Sequence, residues 1–240
     1  MILAAGFGSR LRPLTDSVPK PLIEVGGYPL IAYSLALLRA AGIHEVVINL
    51  HHLGEQIRAA LGDEAYGVRI IYSPEDPILD TGGAIRQAER WLAGERFVLL
   101  NSDMVIDLDL RALLAWHAQR GGLATMVLRP DPDAARYGVI EIDAAQRVRR
   151  FLGQPREVKA ALMPFMFTGV HVFEPRVFDY LGHGSFSSTR QTYPRMMAAG
   201  EPLFGYVFDG YWRVLDTPDG LADGRRDLAA RTCLNPRHLP

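Results

Sequence analysis

The chain has 240 residues, 48% of them hydrophobic and 22% charged. That mix is close to an ordinary globular domain and too apolar for a disordered chain. Its 26 basic and 27 acidic residues leave a formal charge of −1, which excludes a global basic field for wrapping nucleic acid and requires any anion site to be local.

A single cysteine, Cys233, excludes an intrachain disulfide framework and a Cys-rich zinc centre. No apolar run approaches the ~18 residues of a membrane span, and Met1 to Arg10 lacks the pattern of a signal peptide. The expectation is a soluble, cytoplasmic protein with neither nucleic acid nor membrane as partner.

In chain order, short apolar or β-branched runs at Glu45–Leu50, Val68–Tyr72, Phe97–Leu100 and Leu123–Leu128 predict strands buried on both faces. Helix-period segments lie between them. Pro29 starts the first, with Leu30, Ser34, Leu37, Leu38 and Ala41 on one face and Gly42 at its end. Leu53, Ile57 and Leu61 mark a second; Ile85, Ala88, Trp91 and Leu92 a third; Leu110, Leu113, Leu114 and His117 a fourth. Strand and helix in alternation imply an α/β fold with a mostly parallel central sheet and helices on both faces.

Beyond residue 130 the pattern turns to Tyr137–Asp143, Arg147–Leu152 and Met166–Phe173 as strands, then helices near Val177–Leu181 and Gln191–Ala199. Leu203–Phe208 and Tyr211–Leu215 resume strand character, and Pro218 opens a closing helix through Ala230. The expected organisation is one continuous domain: a first half of about 130 residues, a second half to Thr217, and a C-terminal helix and tail.

The chemistry concentrates in the first twenty-two residues, MILAAGFGSRLRPLTDSVPKPL. A strand stub (Ile2, Leu3) runs into Gly6 and Gly8, then Arg10, Arg12 and Lys20. Glycines after a strand let backbone N–H groups approach phosphate oxygens, and clustered Arg and Lys neutralise their charge. An ordinary surface turn with solvated charges remains the alternative. A dinucleotide fingerprint is excluded, because Leu11 stands where a third Gly is needed and the second strand ends in Asn49-Leu50-His51. No GxxxxGK[ST] occurs, which excludes a P-loop.

Leu3-Ala4-Ala5-Gly6-Phe7-Gly8-Ser9-Arg10-Leu11-Arg12-Pro13-Leu14-Thr15, followed by Pro19-Lys20-Pro21-Leu22, resembles the signature of sugar-1-phosphate nucleotidyltransferases. The likeness continues with Thr81-Gly82-Gly83, Asn101-Ser102-Asp103, Tyr137-Gly138-Val139, Thr168-Gly169-Val170 and Gly210-Tyr211-Trp212. It implies a Rossmann-like fold with a smaller antiparallel sugar-binding portion, and the joining of a nucleoside triphosphate to a sugar 1-phosphate with release of pyrophosphate. By resemblance, Leu3, Ala5, Gly6, Gly8, Ser9, Arg10, Thr81, Gly82 and Gly83 bind the nucleotide. Arg10, Lys20 and Asp103 carry catalysis, while Lys20, Gly138, Glu141 and Gly169 hold the sugar phosphate. Asp103, placed just after a strand, is expected to hold Mg²⁺, a hard ion suited to carboxylate and phosphate oxygens; capping of a following helix is the other role for an Asp there. A homodimer is a further expectation.

Two departures stand out. Where many members have Glu-Lys-Pro, this chain has Gly153-Gln154-Pro155, and Arg150, Arg156 or Lys159 is expected to substitute for the missing cation. Where the family has W-x-D-[IV]-G-T-P, this chain has Trp212-Arg213-Val214-Leu215-Asp216-Thr217-Pro218. Val214 stands at the position of the second metal ligand. In an extended segment residues 214 and 216 share a face ~6.5 Å apart, leaving Asp216 two roles, metal ligand or N-cap.

Of the histidines, His51 and His52 are expected to cap, His117 to pack, and His171 to alternate along a strand, while Arg225-Arg226 forms a solvated face. The loop containing Phe7 most resembles mannose-1-phosphate guanylyltransferases. N-acetylmuramate, heptose or another sugar 1-phosphate, with UTP, CTP or ATP as donor, remains open. So do a phosphocholine cytidylyltransferase and a non-catalytic nucleotide-sugar-binding regulator. No appended C-terminal β-helix is expected.

Overall fold

The computed structural model describes all residues except 132, 133, 135–137, 230–232, 236, 237 and 239. The chain forms two compact units, each built from separate segments: Met1–Ile78, Leu100–Arg111 and Gly210–Pro240 in one, Leu79–Leu99 and Ala112–Asp209 in the other.

The first unit is organised by parallel strands. Ile2–Leu3 runs parallel to Glu45–Leu50 on one side and to the end of Phe97–Asn101 on the other, with Ile2 opposite both Ile48 and Leu100. Glu45–Leu50 pairs in parallel with Val68–Pro74. The buried run Val46–Leu50 accounts for the near-continuous apolar sequence there. The helix Leu30–Ala40 is buried from Leu30 through Leu38, all round rather than on one face, because its sequence carries almost no charge before Arg39. Gly42 follows it at φ 84°, a left-handed stop as expected. Leu11, Ile23, Leu30, Tyr33, Leu215 and Leu228 belong to one buried cluster, so the N-terminal loop and the closing helix Pro218–Ala229 share a core.

The second unit is mainly antiparallel. Met163–Phe173 pairs with Ala124–Arg129 and Val139–Ile142, which pairs in turn with Val148–Phe151. Leu203–Val207 runs parallel to Ala124–Arg129. The register between Met163–Phe173 and Ala124–Arg129 shifts between Phe167 and His171, and Gly169 sits there at φ 94°. A bulge of this kind needs a residue without a Cβ penalty.

Several expectations need correction. The third helical segment is two helices, Asp80–Gln87 and Glu89–Leu92. The segment near Val177–Leu181 is a 3₁₀ helix, Pro175–Tyr180, and that near Gln191–Ala199 is a π-helical turn, Ser188–Thr192, leading into Tyr193–Ala198. Met104–Ile106, Glu24–Val25 and Tyr28–Pro29 are strands too short for a periodicity signal. Tyr137, expected to open a strand, and Ala230, expected to end the last helix, lie outside the described residues. Among the described residues no helix is long and apolar enough to cross a membrane.

Candidate active site

In the first unit the glycine loop leaves the Ile2–Leu3 strand and advances through three 3₁₀ turns, Ser9–Leu11, Leu14–Asp16 and Lys20–Leu22. Gly8 holds φ 63°, and Thr15 Oγ1 donates to its carbonyl at 2.9 Å. A Cβ on Gly8 would lie 2.8 Å from the Thr15 methyl, whereas one on Gly6 would meet nothing within 4 Å. The protein's own packing therefore explains Gly8 but not Gly6. Gly6, Ser9 and Arg10 are exposed, Leu3 is half-buried and Ala5 is buried.

The loop's root is fixed from the neighbouring strand. Ala4 N donates to Asn49 Oδ1 at 2.7 Å, and Asn49 Nδ2 donates to Glu75 Oε1 at 2.7 Å. Asn49 and Glu75 are both buried, so each bond replaces water that neither group could reach. Sequence reasoning missed this pair; its one signal is a polar Asn inside the apolar run EVVINL. His51 and His52 do not cap the next helix, whose N-cap is Leu53 with no side-chain bond. His52 Nε2 lies 2.8 Å from Thr15 O, His51 Nδ1 lies 2.9 Å from Glu75 O, and the Phe7 ring packs against both imidazoles at 5.4 and 5.5 Å.

Lys20 Nζ donates to Asp103 Oδ2 at 2.8 Å, with the two side chains 12% and 26% exposed. Asp103 caps no helix, since the strand Met104–Ile106 follows directly. That strand pairs antiparallel with Trp212–Val214, Met104 opposite Val214, and Leu215 N donates to Asp103 O at 2.7 Å. The carboxylate one residue further, Asp216, is bound by Arg10 Nη2 at 2.6 Å. Asp216 is not the cap of the closing helix; Thr217 is, its Oγ1 accepting from Gly220 N at 3.1 Å. Four of the expected residues thus form two ion pairs bridged by one backbone hydrogen bond.

Behind this corner Tyr211 donates to Asp227 Oδ2 at 3.0 Å, and burial raises its phenol pKa above the usual value. Arg213 Nε meets the same carboxylate at 2.6 Å. Arg225 is not simply solvated: Nε and Nη2 donate to Glu24 O at 3.3 and 3.2 Å.

The remaining expected residues belong to the second unit. Gly82 and Gly83 lie inside the helix Asp80–Gln87, where a Cβ would come within 2.2 Å of the Phe186 ring and 2.4 Å of Gly184 O. Thr81 Oγ1 accepts from Ser188 N at 2.9 Å and from Ser188 Oγ at 3.0 Å. Gly138 lines a cavity of about 340 Å³ together with Ile140 and Phe167. Glu141 is held by Arg150 Nη1 at 2.9 and 3.0 Å. Arg150 also donates from Nε to Pro155 O at 3.0 Å and from Nη2 to Arg156 O at 2.9 Å. Gln154 sits in a tight turn with Phe151 and lines a different cavity of about 410 Å³. His117, fully buried, bonds Thr125 Oγ1 at 2.7 Å and Glu174 at 3.1 Å. His171 lies 2.6 Å from the Tyr193 hydroxyl, and burial lowers its pKa to about 3.

Among the described residues no group of three His, Cys, Asp or Glu side chains is arranged to hold a metal by itself. Mg²⁺ takes one or two carboxylates when substrate phosphates complete its shell, and Asp103 and Asp216, each held by one basic side chain, are the carboxylates of this corner.

Residues 1–231 match the family model described as nucleotidyl transferase. The UTP–glucose-1-phosphate uridylyltransferase of Synechocystis is 32% identical over 88% of this chain and 58% of its own length. The mannose-1-phosphate guanyltransferase of Gibberella zeae is 32% identical over 98% of this chain and 63% of its own. The chain therefore spans about three-fifths of these relatives. A solved Bacillus anthracis structure named "Putative Glucose-1-Phosphate Thymidylyltransferase", in complex with sucrose, superposes with a TM-score of 0.82 at 25% identity, covering 99% of this chain and 97% of that one.

Proposed function

The chain belongs to the nucleotidyl transferase family, and on that premise we propose that it transfers a nucleoside monophosphate from a nucleoside triphosphate to a sugar 1-phosphate, releasing pyrophosphate. GTP with mannose 1-phosphate is the leading pair, supported by the Phe7 loop and by the guanyltransferase relative. The observation that carries the reading is the joint of Lys20–Asp103 and Arg10–Asp216 beside the open glycine loop.

An oxygen of the sugar phosphate attacks the α-phosphorus, a new P–O bond forms, and the bond to the pyrophosphate oxygen breaks. The nucleophile is already largely ionised at neutral pH, because the second pKa of a phosphate monoester is ~6. No general base is required. The obstacle is repulsion between two polyanions, and fixed cations lower it. Arg10, exposed at the loop, offers a guanidinium fork for the triphosphate, and Lys20, mostly shielded from water, neutralises phosphate charge near the reacting centre. Gly6 leaves its backbone open to phosphate oxygens. Asp103 and Asp216 would hold Mg²⁺, which when bound would supply further positive charge to offset that of the phosphates.

A non-catalytic nucleotide-sugar sensor is the second reading, favoured by Val214, which brings no carboxylate opposite Met104. A pyrophosphate-release matrix of five nucleoside triphosphates against mannose, glucose, heptose and N-acetylmuramate 1-phosphates, with phosphocholine as a further acceptor, decides between them. Turnover of one pair under Mg²⁺ is expected. Tight nucleotide-sugar binding with no turnover for any pair would overturn the enzyme reading.

A further inference from the structure

The second unit holds another cavity, of about 410 Å³, a volume within the ~300–1,000 Å³ of small-molecule sites. Its walls come from the strand Val148–Phe151 with the turn that follows, and from the helix Tyr193–Ala198. Phe151, Pro155, Pro194 and Met197 make much of that wall apolar, and the two prolines are exposed. Apolar surface gathered in a hollow open to water is the usual ground of a ligand site.

The charged groups that line this cavity are unequally engaged. Arg149 Nε binds Asp143 at 2.6 Å, and Glu201 accepts from Arg176 and from the Tyr180 hydroxyl. Arg147 differs. Among the described residues its guanidinium has no hydrogen-bond or ion-pair partner and meets only the Phe204 ring, 6.0 Å from the centroid. The residue is half-buried, so part of its hydration is lost with no carboxylate in return. Its backbone is fixed: Arg147 N donates to Asp143 Oδ1 at 3.0 Å, and Arg147 O accepts from Asp143 N at 3.0 Å. A free guanidinium beside apolar walls suits an anionic group carried on an apolar body.

We infer that this cavity is a second ligand site, for a small organic anion whose charged group meets Arg147 and whose apolar body packs on Phe151, Pro194 and Met197. Its occupancy is felt in the cavity beside Gly138. Phe151 lines both cavities, and the turn Phe151–Gln154 is closed by Phe151 N donating to Gln154 O at 2.7 Å. Leu152, inside that turn, lines the Gly138 cavity, and Gln154 and Pro155 line the other. Phe151 is buried and stacked on Tyr193 with ring centroids 5.2 Å apart. A close-packed ring shared by two cavities does not shift for one without changing the other. The site stands on its own geometry; only the coupling rests on the reaction proposed above.

The test uses the full chain and calorimetric titration. Phenyl phosphate and benzoate, each an anionic group on a ring, should bind. Inorganic phosphate, the charge without the body, and phenol, the body without the charge, should each bind at least about tenfold more weakly than phenyl phosphate. Arg147→Ala should weaken phenyl phosphate about tenfold or more, the range for losing a charged hydrogen bond. Ala198→Trp, which fills the cavity from its helix wall, should abolish the binding, and both variants should keep the wild-type melting temperature. Should Ala198→Trp fail to fold, Arg147→Ala decides alone. No binding of phenyl phosphate or benzoate, or equal binding by wild type and variants, overturns the site. For the substrate pair that the wild type turns over, phenyl phosphate should shift the KM for the sugar 1-phosphate at least about twofold, and should leave it unchanged in Ala198→Trp. Binding that depends on Arg147 with an unshifted KM overturns the coupling and supports the site. The same binding with no turnover of any pair supports the site and rejects the reaction on which the coupling rests.

Discussion

Arg10 and Asp216 meet in an ion pair of 2.6 Å, the arginine side chain 64% exposed and the aspartate 9%. A pair with one partner so open contributes at most ~1 kcal/mol to stability. Asp216→Ala should therefore leave the melting temperature within a few degrees of wild type while abolishing metal-dependent turnover. Near-normal turnover would reduce Asp216 to a tether for Arg10.

Lys20 and Asp103 form the more protected pair. Lys20→Met and Asp103→Asn should each lower kcat by about 10²–10³-fold, the magnitude for removing a preorganised charge from a reacting centre. Manganese titration separates them: Asp103→Asn should weaken metal binding in the presence of nucleotide, and Lys20→Met should not. Equal weakening of manganese binding in both variants would make the pair structural.

Asn49 links the buried Glu75 to Ala4 N at the root of the glycine loop. Asn49→Ala leaves the buried Ala4 N–H without its acceptor, costing ~1–3 kcal/mol. Denaturant unfolding should show a stability loss in that range or above, and the KM for nucleoside triphosphate should rise as the loop loosens. Unchanged stability would show that water replaces the amide.

Gly82 packs where a Cβ would stand 2.2 Å from the Phe186 ring. Gly82→Ala should cost ~1–3 kcal/mol as an overpacked site, and Phe186→Leu in the same chain should recover part of it. Additive losses in the double variant would place the clash elsewhere.

His171 is buried and its pKa is lowered to about 3 by desolvation. The folded state keeps it neutral, whereas the unfolded chain binds its proton below the ordinary value of ~6.5. Its contribution is therefore fully present above that value and is lost as the pH falls from there toward about 3. His171→Gln, with a hydrogen-bonding amide in place of the imidazole, should flatten the fall in melting temperature between neutral and acidic pH. An identical slope would mean that His171 is protonated in the folded state.

The sequence by itself determined the α/β class, the strands Glu45–Leu50 and Val68–Pro74, the helix Leu30–Ala40 and the glycine loop with its cations. These are local features: hydrophobic period, stop residues and a contiguous motif act over neighbouring positions. Only the tertiary structure decided that Lys20 meets Asp103, that Arg10 meets Asp216 while Thr217 takes the cap, and that Glu141 occupies Arg150. It likewise showed Asn49 holding the root of the loop. Charge pairing depends on which segments the core brings together, and an exposed arginine carries the same letter whether its donors are occupied or free. Spacing along the chain has no means of recording that difference.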